Sequence, residues 1–414
     1  MNVAAPLRAR AFRVDDDVDL VSLAGPSGMV ITRNGTGLAG VGVAATIECG
    51  AGEREGLAAA TSAVLNGMVR EGEPNAPAPV AFGALPYDPE APARLVVPAV
   101  QLHRQADGSR WAVTIAPATD SAAGPTGPQP PAVTAPPELP LPSRYDVAAA
   151  HDPAWWMQLV AVATARIRAG ELRKVVLARE VVVTADRDLD PRPALRRLRA
   201  TYPTCYVSFI DGFLCASPEL LVSRRGDVVR AHPMAGTAPR LGDPAADAKL
   251  AAALLANANY RHEHSLTIDM VHDTLLPYCS FLDAEPEPSV VAVANVQHLA
   301  TLVEGRLSRP EPSVLELVHR LHPTPAVGGD PRAAALAVQR EIEQLDRRRY
   351  AGAVGWVDAH GDGEWAVGIR SAELDGRVAR VYAGNGIVAD SEPATELAET
   401  QAKFAAILGA LVRP

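Results

Sequence analysis

Residues 351–387 read AGAVGWVDAHGDGEWAVGIRSAELDGRVARVYAGNGI, a stretch punctuated like antiparallel sheet. Three runs rich in Val, Ala and aromatic residues, Ala351–Asp358, Glu364–Leu374 and Val378–Ala383, are joined by His360-Gly361-Asp362-Gly363 and by Asp375-Gly376. Short runs of that kind between Gly- and Asp-containing turns predict strands and hairpins. A closing helix is expected from about Glu392 to Leu411. Upstream, Lys174–Thr184 is a β-branched strand, and Cys205–Ile210 with Phe213–Ala216 forms a hairpin across Asp211-Gly212. Leu220–Arg224 and Val228–His232 flank a turn at Arg225-Gly226-Asp227. Helices are expected over Pro153–Ala169, closed by Gly170, and over Tyr260–Tyr278 and Pro331–Tyr350. Hairpins alternating with long helices indicate an α+β fold, large antiparallel sheets packed by helices, rather than a doubly wound sheet.

Residues 1–115 read as short strands with one helix, the alanine-rich Glu53–Arg70. Leu95–Val100 and Trp111–Ile115 are strand-like, and Pro98 would demote the first to an edge. Pro117–Pro142 is rich in Pro, Gly, Ala and Thr and reads as a mobile loop or linker. The expected organisation is an N-terminal α+β portion, 1–143, and a catalytic region, 144–414, forming one intertwined unit. The composition, 48% hydrophobic and 21% charged, is that of a globular chain, and a formal net charge of −9 argues against nucleic acid as a partner. No run of about 18 apolar residues is present, so no membrane span is expected. Met1–Asp17 lacks the apolar core of a signal peptide, and Cys49, Cys205, Cys215 and Cys279 have no metal-knuckle spacing; a reducing cytoplasm fits both. The arginine clusters Arg196–Arg199 and Arg347–Arg349 fall in helical patterns and read as solvated faces.

Several residues have the chemistry of a site. Lys174 opens a strand on whose face Val176, Ala178, Glu180 and Val182 also lie. It is either a snorkelling end residue or a general base of depressed pKa. Glu219, in Ser217-Pro218-Glu219-Leu220-Leu221, is either a cap or a carboxyl kept protonated by apolar neighbours, a general acid. Glu396, Glu399 and Lys403 share one helical face. The carboxylates there either pair with the lysine or hold a cation. Glu263, between His262 and His264, is a candidate third carboxylate, and three such oxygens suit magnesium. Adjacent helical residues diverge by about 100°, so the His-Glu-His triplet cannot converge on one zinc ion. The turns Pro325-Ala326-Val327-Gly328-Gly329 and Gly384-Asn385-Gly386 can offer backbone N–H groups to an anion, as can His232-Pro233-Met234-Ala235-Gly236-Thr237. Arg370 reads as a mid-strand charge, which asks for an anionic partner.

In this order, KVVLAR (174–179), SPELL (217–221), HPMAGT (232–237), RHEH (261–264), VQHL (296–299), RRYAGAVG (348–355), IRSAEL (369–374) and AGNGIVADSEPATELAETQAK (383–403) resemble the chorismate-utilising enzymes. These include isochorismate, salicylate, anthranilate and aminodeoxychorismate synthases. The resemblance implies the anthranilate synthase component I-like fold and chorismate as substrate. It implies Mg2+ held directly by Glu263 and Glu399 and through water by Glu396. It also implies an enolpyruvyl carboxylate held by Arg370, Tyr350, Lys403 and the backbone at Gly384 and Gly386, with Gly236, Thr237 and His298 lining the ring carboxylate and metal region. Tyr260 stands where relatives often carry an acidic or amide residue, which would weaken metal binding or leave room for a water.

A lysine at 174 suits activation of water, whereas the aminating members generally lack it, and Ala235 stands where aminodeoxychorismate synthases tend to carry a lysine. Ala326 matches the isochorismate synthases, while members that also eliminate pyruvate usually have threonine near that turn. The resemblance therefore implies a magnesium-dependent isomerase, isochorismate synthase, with Lys174 as base and Glu219 as acid. Salicylate synthase and a non-catalytic chorismate-binding relative are the alternatives. A monomer is expected, and menaquinone and siderophore biosynthesis are both open as destinations of the product.

Overall fold

The structure is a computed structural model, and it describes residues 6–413 apart from Asp16, Pro74, 119–133, Asn295 and the side chain of Asn259. Its described strands form three sheets, of 13, 9 and 3 strands, with helices on the outer faces. The α+β class is the one expected. In the largest sheet Lys174–Ala185, the second strand from one edge, pairs antiparallel with Val378–Ile387, which pairs with Ser371–Asp375; Phe213–Ser217 and Tyr206–Ile210 follow. The sheet continues into Met29–Arg33 and Thr36–Val41, so N-terminal strands extend a sheet begun by C-terminal ones. The second sheet does the same where Ala353–Asp358 pairs with Val80–Ala84. Residues from both large sheets, among them Phe82, Ile210, Phe213 and Trp356, pack into one buried cluster.

Two short crossings tie the large sheets together. Phe213–Ser217 belongs to the first sheet and Leu220–Arg225 to the second, with Pro218 and Glu219 between them. Gly363–Val367 belongs to the second and Ser371–Asp375 to the first. The expected single strand Glu364–Leu374 is therefore two strands, broken at Gly368–Arg370. Arg370 is not mid-strand but sits at the bend with φ +50°, a left-handed conformation uncommon for a side-chain-bearing residue. The crossings run side by side: Val367 N–H donates to Glu219 O (3.1 Å) and Ala216 N–H to Arg370 O (3.1 Å).

Other boundaries also differ from the sequence reading. Pro98 lies between Ala93–Val97 and Val100–Arg104, and the first of these is an interior strand, paired on both sides by Ala45–Cys49 and Val80–Ala84. The helix expected over Glu53–Arg70 covers Leu57–Asn66, and Val69–Glu71 is instead a strand parallel to Leu7–Arg13. The helix expected to reach Tyr350 ends at Ile342, and the chain then passes through left-handed turns at Gln344 and Arg348. Arg347 is consequently buried, 4% exposed, rather than on a solvated helix face. Helices Pro244–Ala256 and Val314–Leu321 have no counterpart in the sequence reading.

Most of the proline-rich stretch lies outside the described residues. Its end is tied down: Arg192 donates to Pro136 O (2.6 Å) and Pro137 O (2.7 Å), and Leu139 N–H to Asp190 (2.9 Å). Among the described residues, all four cysteines are free and no helix is long and apolar enough to cross a membrane.

Trp365, fully buried in the second sheet, anchors a core of Leu95, Val222 and Leu317. Trp365→Ala is expected to lower unfolding free energy by about 3–5 kcal/mol in a denaturant titration. A loss below about 1 kcal/mol would contradict the packing.

Candidate active site

The crossings deliver Glu219 and Arg370 to a cleft between the large sheets and the three-stranded sheet. One cavity there is lined by Glu219, Gly236, Thr237, Glu263, His298, Ala326, Tyr350, Arg370, Gly384 and Lys403, together with Val176, Met234 and Val327. These include most of the residues the sequence singled out. Its volume is about 80 Å3, below the few hundred Å3 usual for a ligand pocket. Roomier cavities lie elsewhere, one of about 360 Å3 beside Tyr87, Gln339 and Arg347. The chemistry is in the narrow cavity, where the titratable groups converge.

The strand ladder explains how Lys174 joins them. Val176 is paired with Gly386 and Ala178 with Gly384. A Cβ at Gly386 would stand 2.6 Å from Lys174 Cε and 3.1 Å from Glu263 Oε1, so the missing side chain makes room for both. Lys174 is 1% exposed, and its Nζ donates to Glu263 Oε1 at 2.6 Å. The mainly apolar strand face does not describe its whole setting, because the helix Ala258–Leu275 brings a carboxylate to it.

Glu219 is 3% exposed, and burial pushes its carboxyl up to about 8 even though the Met234 amide and the charges of Lys174 and Arg370 pull the other way. It is therefore protonated at neutral pH. Tyr350, stacked on Tyr382 at 5.5 Å, is pushed up to about 12 by burial and keeps its proton. Gly236, at φ +75°, marks a register shift between Met234–Pro239 and Val296–Ala300. That shift sets Thr237 opposite His298. His298 Nδ1 lies 3.3 Å from Gly236 O and 3.2 Å from Thr237 Oγ1, and its Nε2 lies 3.3 Å from Arg370 Nη2. A carbonyl only accepts and a guanidinium only donates, so the ring carries its proton on Nδ1 and is neutral. Burial, and then the Arg370 charge, hold its pKa down at about 3.

The helix Pro393–Leu411 supplies the opposite wall. Lys403 Nζ pairs with Glu399 (2.7 Å) and donates to Gly384 O (2.9 Å) and Asn385 Oδ1 (2.7 Å). Asn385, which the sequence reading did not weigh, also donates to Glu396 Oε2 (2.8 Å). Burial pushes the Glu396 carboxyl up; a hydrogen bond from Ser391 opposes this and the Glu399 charge adds to it. Burial likewise raises the Tyr260 hydroxyl, with the charges of Glu399, Glu263 and Glu396 adding to it. Tyr260 is also packed against Gly236, its Cβ 3.3 Å and its ring Cγ 3.5 Å from where a Cβ would stand. His264 turns away, its Nε2 2.7 Å from Thr301 Oγ1.

The donor set suits a hard divalent cation: three carboxylates, two of them on one helix face. Among the described residues, no three His, Cys, Asp or Glu are placed to hold an ion as they stand. Lysines hold Glu263 and Glu399 instead.

The sequence profile of the chorismate-binding enzymes matches residues 31–412. The chain is a chorismate-binding enzyme. A Mycobacterium tuberculosis protein provisionally named isochorismate synthase MenF is 43% identical over 349 residues, covering 81% of this chain and 87% of that one. The isochorismate synthase DhbC of Bacillus subtilis is 37% identical over 347 residues, 80% of this chain and 81% of that one. A Bacillus anthracis crystal structure provisionally assigned as a 2,3-dihydroxybenzoate-specific isochorismate synthase superposes with a TM-score of 0.78 at 32% identity, over 95% of this chain and 97% of that one.

The buried acid of this chorismate-binding enzyme gives a sign-defined prediction. The native state keeps the Glu219 proton up to about pH 8, whereas the unfolded chain releases it near 4.5. Native stability therefore falls as pH rises between these values. Glu219→Gln lacks this loss, so its Tm relative to the parent should climb from pH 5 to pH 9. A constant difference would show that Glu219 ionises like an exposed carboxyl.

Proposed function

We propose that this enzyme is an isochorismate synthase, an isomerase converting chorismate to isochorismate by water attack at C2 and loss of the C4 hydroxyl. The carrying observation is the convergence on one cleft of a buried lysine and a carboxyl protonated at neutral pH. Water is a poor nucleophile and hydroxide a poor leaving group, so this substitution needs a base for the first and an acid for the second. Lys174 takes the proton of the attacking water, and Glu219 gives its proton to the departing C4 oxygen, which leaves as water. To act as base, Lys174 has to part from Glu263 and first give up its ammonium proton, so that the neutral amine receives the proton of water. Arg370, held by neutral His298, and Lys403 are the cations for the substrate's carboxylates, and Tyr350 and the backbone at Gly384 and Gly386 complete the anion contacts. The narrow cavity implies that these side chains move apart as substrate enters.

Magnesium would be held by Glu263 and Glu399, with Glu396 acting through water. When bound, it supplies positive charge to the ring carboxylate and fixes the ring's orientation. Glu263 lines the cleft and Glu399 pairs with Lys403, which also lines it; both carboxylates have lysine partners that a dication can replace. A monomer in the cytoplasm is the setting we favour.

The test is the product of purified protein with chorismate and magnesium, resolved by chromatography without a coupling enzyme. Isochorismate alone, lost on adding EDTA, is expected; salicylate and pyruvate formed at a comparable rate would move the enzyme to the lyase branch. Lys174→Ala should lower kcat by at least about 100-fold with the fold intact, the scale of a lost general base. Ordinary turnover in that variant would remove Lys174 from the base role. In the parent, kcat/KM should decline as pH rises through about 8, where Glu219 gives up its proton.

A further inference from the structure

The strand Lys174–Ala185 has a gap in the pairing on its outer side. That side pairs with Tyr145–Ala149 only from Val181 to Ala185, and with Gly329–Asp330 only at Lys174 and Val175. Between these partners, Val176 O and Ala178 N–H, two and four residues from the proposed base, face no strand among the described residues. Buried backbone groups left unpaired are costly.

Side chains fill the gap. Gln339 Nε2 donates to Val176 O (2.7 Å) and to Gly328 O (2.7 Å). Arg347 Nη2 donates to Val176 O (2.6 Å) and its Nη1 to Val327 O (3.2 Å). Glu343 Oε2 accepts from Ala178 N–H (3.1 Å), and both its oxygens accept from Arg347 (2.6 Å each). The Tyr87 hydroxyl donates to Gln339 Oε1 (2.8 Å), with Val327 O a longer second acceptor (3.3 Å). Because Oε1 receives that proton, the amide nitrogen must face the two carbonyls. The Arg347 guanidinium lies over the Tyr87 ring, 4.4 Å from its centroid. All four side chains are buried.

The bracket joins two walls of the cleft. Val176 lines it on the base-bearing strand, and Ala326 and Val327 line it on the facing loop. A buried ion pair is seldom the most stable filling for a core. Apolar side chains here would leave Val176 O and Ala178 N–H unpaired. We propose that Tyr87, Gln339, Glu343 and Arg347 are positioning residues that set the spacing between the Lys174 strand and the Ala326–Val327 loop, and through it the distance from the Lys174-activated water to the ring. This rests on the isochorismate synthase reading. The cations assigned to the substrate carboxylates, Arg370 and Lys403, lie outside the bracket, so loosening it should affect turnover more than binding.

Tyr87→Phe keeps the ring over Arg347 and deletes the hydroxyl; Gln339→Met keeps the volume and deletes both donors. For each, kcat, KM, Tm and amide hydrogen exchange over residues 174–178 and 326–330 are measured. The expected result is a kcat fall of about 10-fold, the scale of a sub-ångström misplacement, with KM within about twofold and faster exchange at Val176 and Ala178. Parental kcat in folded variants, or a kcat loss that only matches the unfolded fraction, would overturn the proposal. Should Gln339→Met not fold, Tyr87→Phe decides alone. A parent protein that makes no isochorismate overturns the functional reading instead, and the exchange data still report whether the bracket holds the strand.

Discussion

The ladder between Lys174–Ala185 and Val378–Ile387 is the contact on which the site depends. Its register sets Gly386 against Val176 and Gly384 against Ala178, and only glycine at these places lets Lys174 and Tyr350 approach the strand. The same strand leads into the helix carrying Glu396, Glu399 and Lys403. A slip of one residue would reverse every side chain on it and carry the lysine away from Glu263.

Around that ladder, charge is handled by pairing rather than by exposure. Lys174 meets Glu263, Lys403 meets Glu399, Arg347 meets Glu343 and Arg349 meets Glu373. Glu219 is the exception: among its neighbours no cation is close enough to offset burial, and it keeps a proton instead. The contrast separates roles within one cleft. Under the proposed function, the paired groups would exchange partners when substrate and a dication bind, while the unpaired carboxyl is already in the state an acid needs.

The crossings between sheets have a comparable logic. A strand that leaves one sheet for another cannot complete both ladders at the bend, and its side chains there face neither sheet's outer surface. Glu219 and Arg370 occupy these bends, and each crossing's backbone hydrogen-bonds the other. The left-handed backbone of Arg370 is strain held in place by this pairing.

Much of this was legible from residue order alone. Hairpin turns such as Asp211-Gly212, the strand at Lys174, the helix ending at Leu411 and the ordered motifs depend on neighbours in sequence, and local chemistry determines them. The sequence also determined which residues are candidates, from Lys174 to Lys403. It did not determine that Glu364–Leu374 breaks at Arg370, because both halves have strand composition and only the second sheet's position divides them. Nor did it separate Arg347 from its exposed-looking neighbours, since burial there depends on Glu343, Tyr87 and an unpaired strand edge far away in sequence. Pairing of Lys174 with Glu263, protonation of Glu219 and the closing of the strand gap were decided by tertiary structure alone. Each is set by distance and dielectric between distant segments, quantities that no local pattern encodes.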